Sequence, residues 1–132
     1  MNTFLPFPDF EKSAKVLDRL RLGKQRSEAL IMLRGGWVNH PAAKMWSKHL
    51  YQLANYGIAI CNEWISRGYR DNCLKQFLEE QSKLEDAGVP WWLGNQGFHI
   101  SHQSNLIRKL PEHYGPIFPG VPDNLPYIWP VP

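Results

Sequence analysis

The stretch Leu17 to Arg34, LDRLRLGKQRSEALIMLR, sets five cations (Arg19, Arg21, Lys24, Arg26 and Arg34) against two carboxylates, Asp18 and Glu28. Arginine outnumbers lysine, and the planar guanidinium fork is the group that grips phosphate bidentately. Read as one helix turning about 100° per residue, the stretch places Arg21, Lys24, Gln25 and Glu28 on one side and Lys15, Arg19 and Arg26 on another. Glu28 follows Lys24 by one turn and Arg21 by two. A carboxylate held among cations stays ionised and can be aimed at a developing positive charge. A second reactive group is the α-amine of the chain. With a reference pKa of about 7.7–8.0, a sizeable minority of it is neutral at pH 7, so it forms a Schiff base without the desolvation a lysine needs. His40 precedes Pro41 at a helix start, where partial positive charge favours anions, and it joins Lys44 among the candidate phosphate contacts.

Other chemistries find no support. His99-Ile-Ser-His102 offers two ligating rings, but no third ligand has metal-site spacing, so neither metal nor cofactor is expected. Cys61 and Cys73 form no C-x-x-C motif and are expected to be reduced. No serine sits in a G-x-S-x-G context, and Gly35-Gly36 lacks the GK[ST] of a phosphate-binding loop.

These residues need a scaffold, and the chain spells one in helices. On the basic stretch, Val16, Leu20, Gly23, Ser27, Leu30 and Ile31 form the arc expected to face inward. Ahead of it, Met1 to Pro8 is too apolar for a free tail and is expected to thread against the core, with Asp9 capping a short helix from Phe10. Gly35-Gly36 ends the basic helix. Pro41 then opens the next, capped by Asn39 or His40 and running from Ala42 to Arg67 with Trp46, Leu50, Leu53, Tyr56, Ile60 and Trp64 inward. Gly57 within it predicts a bend or a close helix approach, and Gly68 ends it. Asp71 or Asn72 caps a helix over Cys73 to Ala87 with Leu74, Phe77, Leu78 and Leu84 inward. Trp91 to Phe98 reads as a loop, and Ser101 or His99 caps a last helix from His102 to Leu110. The final twenty residues hold six prolines interleaved with Tyr114, Phe118, Tyr127 and Trp129. The expectation is an all-α single domain, residues 1–132, of four to five helices with an extended Pro/aromatic-rich C-terminal strap.

Charge is unevenly spread: residues 1–50 carry a net +5 and residues 51–132 a net −2. That polarity implies one electropositive face and a salt-dependent polyanion partner. The N-terminus is Pro-rich and acidic at Asp9 and Glu11, unlike a signal peptide, and no apolar run approaches the ~20 residues of a membrane span. A soluble, cytoplasmic monomer is expected.

Two phrases, Cys61-Asn-Glu-Trp-Ile-Ser-Arg67-Gly68-Tyr69-Arg-Asp71 and Phe98-His99-Ile-Ser101-His-Gln-Ser104-Asn-Leu106-Ile-Arg108-Lys109, follow the basic helix. Together they resemble the pyrimidine-dimer DNA glycosylases of the phage endonuclease V type. The opening Asn-Thr-Phe-Leu-Pro-Phe-Pro-Asp-Phe and the phrase Arg21-Leu-Gly-Lys-Gln-Arg26-Ser-Glu-Ala are similar to a less characterised bacterial and phage branch catalogued with them.

The resemblance implies an N-terminal amine that attacks C1′ of a damaged nucleotide in double-stranded DNA, expels the base and cleaves the strand by β-elimination. It also implies a Glu on the first long helix, directly after an Arg, that stabilises the sugar cation; here Arg26 is followed by Ser27 and then by Glu28. The family exposes a small residue after Met removal, whereas Asn2 is large, so the implied nucleophile is the amine of Met1 with Asn2 beside it. The family's basic aromatic tail is replaced by the uncharged Pro126-Tyr127-Ile128-Trp129-Pro130. The expected function is a DNA glycosylase with abasic-site lyase activity. The alternative is a non-catalytic DNA-binding protein on the same fold.

Overall fold

The computed structural model describes residues 2–130. Among them the chain forms seven helices and no strand: α1 (Phe10–Val16), α2 (Arg19–Leu33), α3 (Pro41–Trp46), α4 (Leu50–Ser66), α5 (Leu74–Gln81), α6 (Gln96–Lys109) and α7 (Pro111–Tyr114). The all-α class holds; the count of four to five does not. The two extra helices are α7, opened by Pro111 after the expected last helix, and the product of a break in the expected core helix that carries neither Gly nor Pro. Leu17 is extended and buried, and Asp18 starts α2 by accepting from the Arg21 N–H at 3.4 Å. The stretch expected as one helix over Ala42 to Arg67 is interrupted at Ser47 to His49, where the His49 N–H turns back to the Trp46 carbonyl at 2.7 Å. His40 is the cap of α3, its Nδ1 accepting from the Ala42 N–H at 3.0 Å.

Two further boundaries differ from expectation. Asn95 caps α6 by accepting from the Phe98 N–H at 3.0 Å, so the helix starts well before His102, and His99 and Ser101 lie buried inside it. The helix expected to reach Ala87 stops at Gln81, and Leu78 faces solvent rather than the core. The cap position is Cys73 rather than Asp71 or Asn72, yet Asp71 still serves the helix start, accepting from the Leu74 N–H at 2.7 Å and the Cys73 N–H at 3.1 Å.

The inward face of α2 is the larger correction. Leu22, Gln25, Ala29, Leu30, Met32 and Leu33 are buried, whereas Leu20 is 62% and Ile31 41% exposed. The helix is rotated by roughly 140° from the arc its apolar residues suggest. Gly23 helps to fix that rotation: a Cβ there would meet the Trp64 ring at 3.0 Å, so glycine admits the indole against the helix.

Buried α4 is the axis, touching α1, α2, α3 and α5. Gly57 marks its closest approach, since a Cβ there would lie 2.2–2.6 Å from Phe77 ring atoms of α5. Gly57→Ala is therefore expected to lower stability by about 1–3 kcal/mol, overpacking outweighing the ~1 kcal/mol gain in helix propensity. A reduced urea midpoint with unchanged slope would show it; an unchanged midpoint would mean that Phe77 moves freely. Rings carry the core across to α6, with Trp46 and Trp92 at 4.9 Å and Trp92 and Phe98 at 5.1 Å. Beyond α7 the chain runs back along α6, where Ser104 Oγ accepts from the Leu125 N–H and Asn105 Nδ2 donates to the Leu125 carbonyl.

Candidate active site

Residues 2–6 form an extended thread through the interior; side chains of α2, α4 and α6 satisfy its backbone, and one of α3 bonds a side chain of it. Gln25 of α2 donates to the Asn2 carbonyl at 2.8 Å and accepts from the Phe4 N–H at 3.2 Å. Tyr56 of α4 accepts from the same N–H at 2.9 Å and donates to Gln25. Trp46 of α3 donates to Thr3 Oγ1 at 3.0 Å. From α6, His99 Nδ1 donates to the Leu5 carbonyl at 2.7 Å, His102 Nδ1 accepts from the Leu5 N–H at 3.0 Å, and Gln103 donates to the Pro6 carbonyl at 2.8 Å. Burial lowers the pKa of both imidazoles, that of His102 to about 3, with the neighbouring His99 adding to it. Neutral rings are what these bonds need, since His102 Nδ1 accepts here and His99 Nε2 accepts from the Gly94 N–H at 2.9 Å. His99 and His102 are thus spent on the thread.

The thread delivers Asn2, 5% exposed, to the wall of a cleft of about 390 Å³. There the Asn2 N–H donates to Glu28 Oε2 at 3.4 Å. Leu20, Arg21 and Lys24 of α2, Phe4 of the thread, Lys109 at the end of α6 and Tyr127 complete the lining. The face that joins Arg21, Lys24 and Glu28 is therefore one wall of a real concavity. Met1 lies outside the described residues.

Asp18 holds Arg21 in place, its Oδ1 lying 3.2 Å from the guanidinium while Tyr114 donates to the same carboxylate. Burial would raise the Asp18 pKa, but hydrogen bonds from Tyr114 and Arg21 outweigh it and keep the group below the usual range. Lys109 is shifted down by burial and by the Arg21 and Arg108 charges beside it. Burial raises the Tyr127 phenol, and the Asn2 side chain with the Arg108 and Arg21 charges pulls it partly back. The cleft is dense in positive potential, with a single carboxylate set beside the thread.

The remaining basic residues do not share this place. Arg26 is an internal tie: its guanidinium lies 2.6 Å from Asp71, whose side chain is 3% exposed, and stacks 4.4 Å from the Trp64 ring. Burial works against the Asp71 charge, yet hydrogen bonds from the Leu74 N–H and Arg26 hold its pKa low. Arg19 is exposed with its guanidinium 6.0 Å from the Tyr69 ring. Arg34 sits 3.7 Å from Glu80 at the far end of α2. Lys44 is exposed on α3, and His40 packs edge-on against Trp129 at 5.8 Å. Cys61 and Cys73 are free, and burial pushes both thiols up.

Sequence reasoning missed Lys109 and Tyr127. They reach the cleft from the far end of the chain, and the phrases that contain them gave neither a part in the site. Leu20 was assigned to the core and Gln25 to the surface; each occupies the other's kind of place. Among the described residues, no helix is long and apolar enough to cross a membrane.

No curated protein and no solved structure matches the chain. The family model of pyrimidine dimer DNA glycosylases matches residues 1–77, which hold the thread, all of α2 and the core helix α4. The match spans more than half of the chain and includes the Asn2–Glu28 side of the cleft, so this protein belongs to the pyrimidine dimer DNA glycosylase family.

Proposed function

We propose that the cleft is the active site of a DNA glycosylase with abasic-site lyase activity, working on double-stranded DNA as a monomer through an N-terminal amine. One observation carries this reading: the first described backbone nitrogen, that of Asn2, lies 3.4 Å from the Glu28 carboxylate in a cleft whose other charged lining groups, Arg21, Lys24 and Lys109, are cations. A terminal amine one residue ahead is tethered within roughly 3.3–3.6 Å of that nitrogen, and so within about 7 Å of the carboxylate. The amine lone pair attacks C1′ of the target nucleotide as the C1′–N bond to the base breaks, the bonding electrons leaving with the base. The Glu28 carboxylate opposes the positive charge that develops on the sugar. The attacking nitrogen then loses a proton and the C1′–O4′ bond breaks, O4′ taking up a proton, to give a ring-opened iminium; loss of a C2′ proton, acidified by that iminium, expels the 3′ phosphate and cuts the strand. Arg21, Lys24 and Lys109 hold the flanking phosphates.

Borohydride reduction on an abasic duplex tests the proposal. A covalent adduct is expected, and mass spectrometry of its peptides should place the added mass on the N-terminal peptide and show whether Met1 is retained. Absence of adduct and of strand cleavage, with DNA binding intact, would replace the enzyme by a binding protein. Binding itself should fall steeply with salt. Replacing Arg19, Arg21 and Lys24 together by Ala is expected to reduce the slope of log affinity against log salt by about 2–3. Arg26 is left out of this set because it is committed to Asp71. An unchanged slope would move the DNA to another face.

A further inference from the structure

Arg26, Trp64, Tyr69 and Arg19 touch one another in succession on the flank of α2 away from the cleft, Arg19 projecting about 180° around the helix from Glu28. Gly68, at φ +92°, ends α4, and the Tyr69 N–H turns back to the Trp64 carbonyl at 3.3 Å. That turn folds the phenol ring onto the indole, with centroids 4.4 Å apart. The indole is itself fixed, because Gly23 admits it against α2, Arg26 stacks on it at 4.4 Å and its Nε1 donates to the Arg70 carbonyl at 2.7 Å. Tyr69 is nevertheless 37% exposed, with only the exposed Arg19 side chain over it at 6.0 Å. Lys15 is joined to the same place through Arg67, which donates to the Lys15 carbonyl at 3.1 Å. The nearby carboxylates are spent, Asp71 on Arg26 and Glu63 on Arg67. Among the described residues no carboxylate pairs with Lys15, Arg19 or Arg70, all of them exposed.

We propose that this patch is a second nucleic-acid site, one that takes single-stranded DNA by seating an unpaired base between Tyr69 and Arg19 while Lys15 and Arg70 meet the phosphates beside it. A rigidly backed aromatic ring among unpaired cations is the combination that single strands recognise, the ring through base stacking and the cations through the backbone. Paired bases show a protein their edges and keep their faces in the stack, so the ring selects an unpaired base. Two contacts of about 3.5 Å need roughly 7 Å, and the 6.0 Å between ring and guanidinium opens to that when the flexible Arg19 side chain moves by about 1 Å. The site goes beyond the glycosylase reading, since it needs neither a lesion nor the chemistry of the cleft.

Fluorescence anisotropy with a labelled oligothymidylate of about 12 nucleotides tests the site. Tyr69→Ala should weaken its binding by about 5- to 100-fold, the loss of one base–ring stack, while Tyr69→Phe, which keeps the ring, stays within about two-fold. Affinity for an undamaged duplex should stay within about two-fold in both variants, because its bases offer no free face. A second probe leaves the protein unaltered: a strand of equal length built from tetrahydrofuran units has the phosphates and no bases. The unaltered protein should prefer oligothymidylate over this strand by about the factor that Tyr69→Ala loses, and the variant should not distinguish them. Equal binding of the two strands by the unaltered protein would overturn the site. So would a Tyr69→Ala variant that keeps its affinity for oligothymidylate, that loses duplex and single strand alike, or that is matched in its loss by Tyr69→Phe. Neither probe carries a lesion or an abasic aldehyde, so failure here leaves the lyase reading standing, and failure of borohydride trapping leaves this site standing.

Discussion

Glu28→Gln is expected to reduce base excision and strand cleavage by about 10²- to 10⁴-fold while DNA affinity holds or rises. The substitution keeps the size and the hydrogen bond to the Asn2 N–H, and removes only the charge set against the sugar cation. Taking one anion out of a cationic cleft also removes a repulsion with phosphate, so affinity should not suffer. Turnover measured under single-turnover conditions, with Kd from fluorescence anisotropy, separates the two effects. Unchanged turnover would clear Glu28 of the role and turn attention to Asp18, whose carboxylate is already engaged by Arg21 and Tyr114.

Blocking the N-terminal amine should have a comparable effect by another route. Acetylation removes its nucleophilicity, and an added residue displaces the amine by roughly 3.3–3.6 Å. Either change is expected to eliminate borohydride-trapped adduct on abasic DNA, with salt-sensitive binding preserved. The thread explains why a small displacement matters. Residues 2–6 are fastened by side chains of α2, α3, α4 and α6, so the terminus cannot slide to compensate. An acetylated protein that still forms the adduct would identify a lysine of the cleft, Lys24 or Lys109, as the nucleophile.

The cationic wall could be read from sequence because it depends only on spacing along a helix. Arg21, Lys24 and Glu28 share a face whichever way the helix turns. Which face looks inward depends on partners, and there apolar periodicity misled. Gln25 is buried because Tyr56 and the thread satisfy its amide, while Leu20 and Ile31 point to solvent. The His99 and His102 pair was visible, but its purpose, to hold the two backbone groups of Leu5, requires a contact across more than ninety residues. Lys109 and Tyr127 were hidden for the same reason. The break at Ser47 to His49 left no trace because neither glycine nor proline marks it.

The bonds from Leu5 and Pro6 to α6 close loops of 94 to 97 residues. The segment synthesised first is thus among the last to be seated, since α6 must exist before it can dock. At roughly 5–20 residues per second, the thread waits on the order of five to twenty seconds on the ribosome for its partners. Contacts of such long range also delay folding, because loop closure must precede any gain from them. An incomplete chain carries the cations of α2 without a seated thread, so the Asn2–Glu28 side of the cleft is assembled only after α6 has been made.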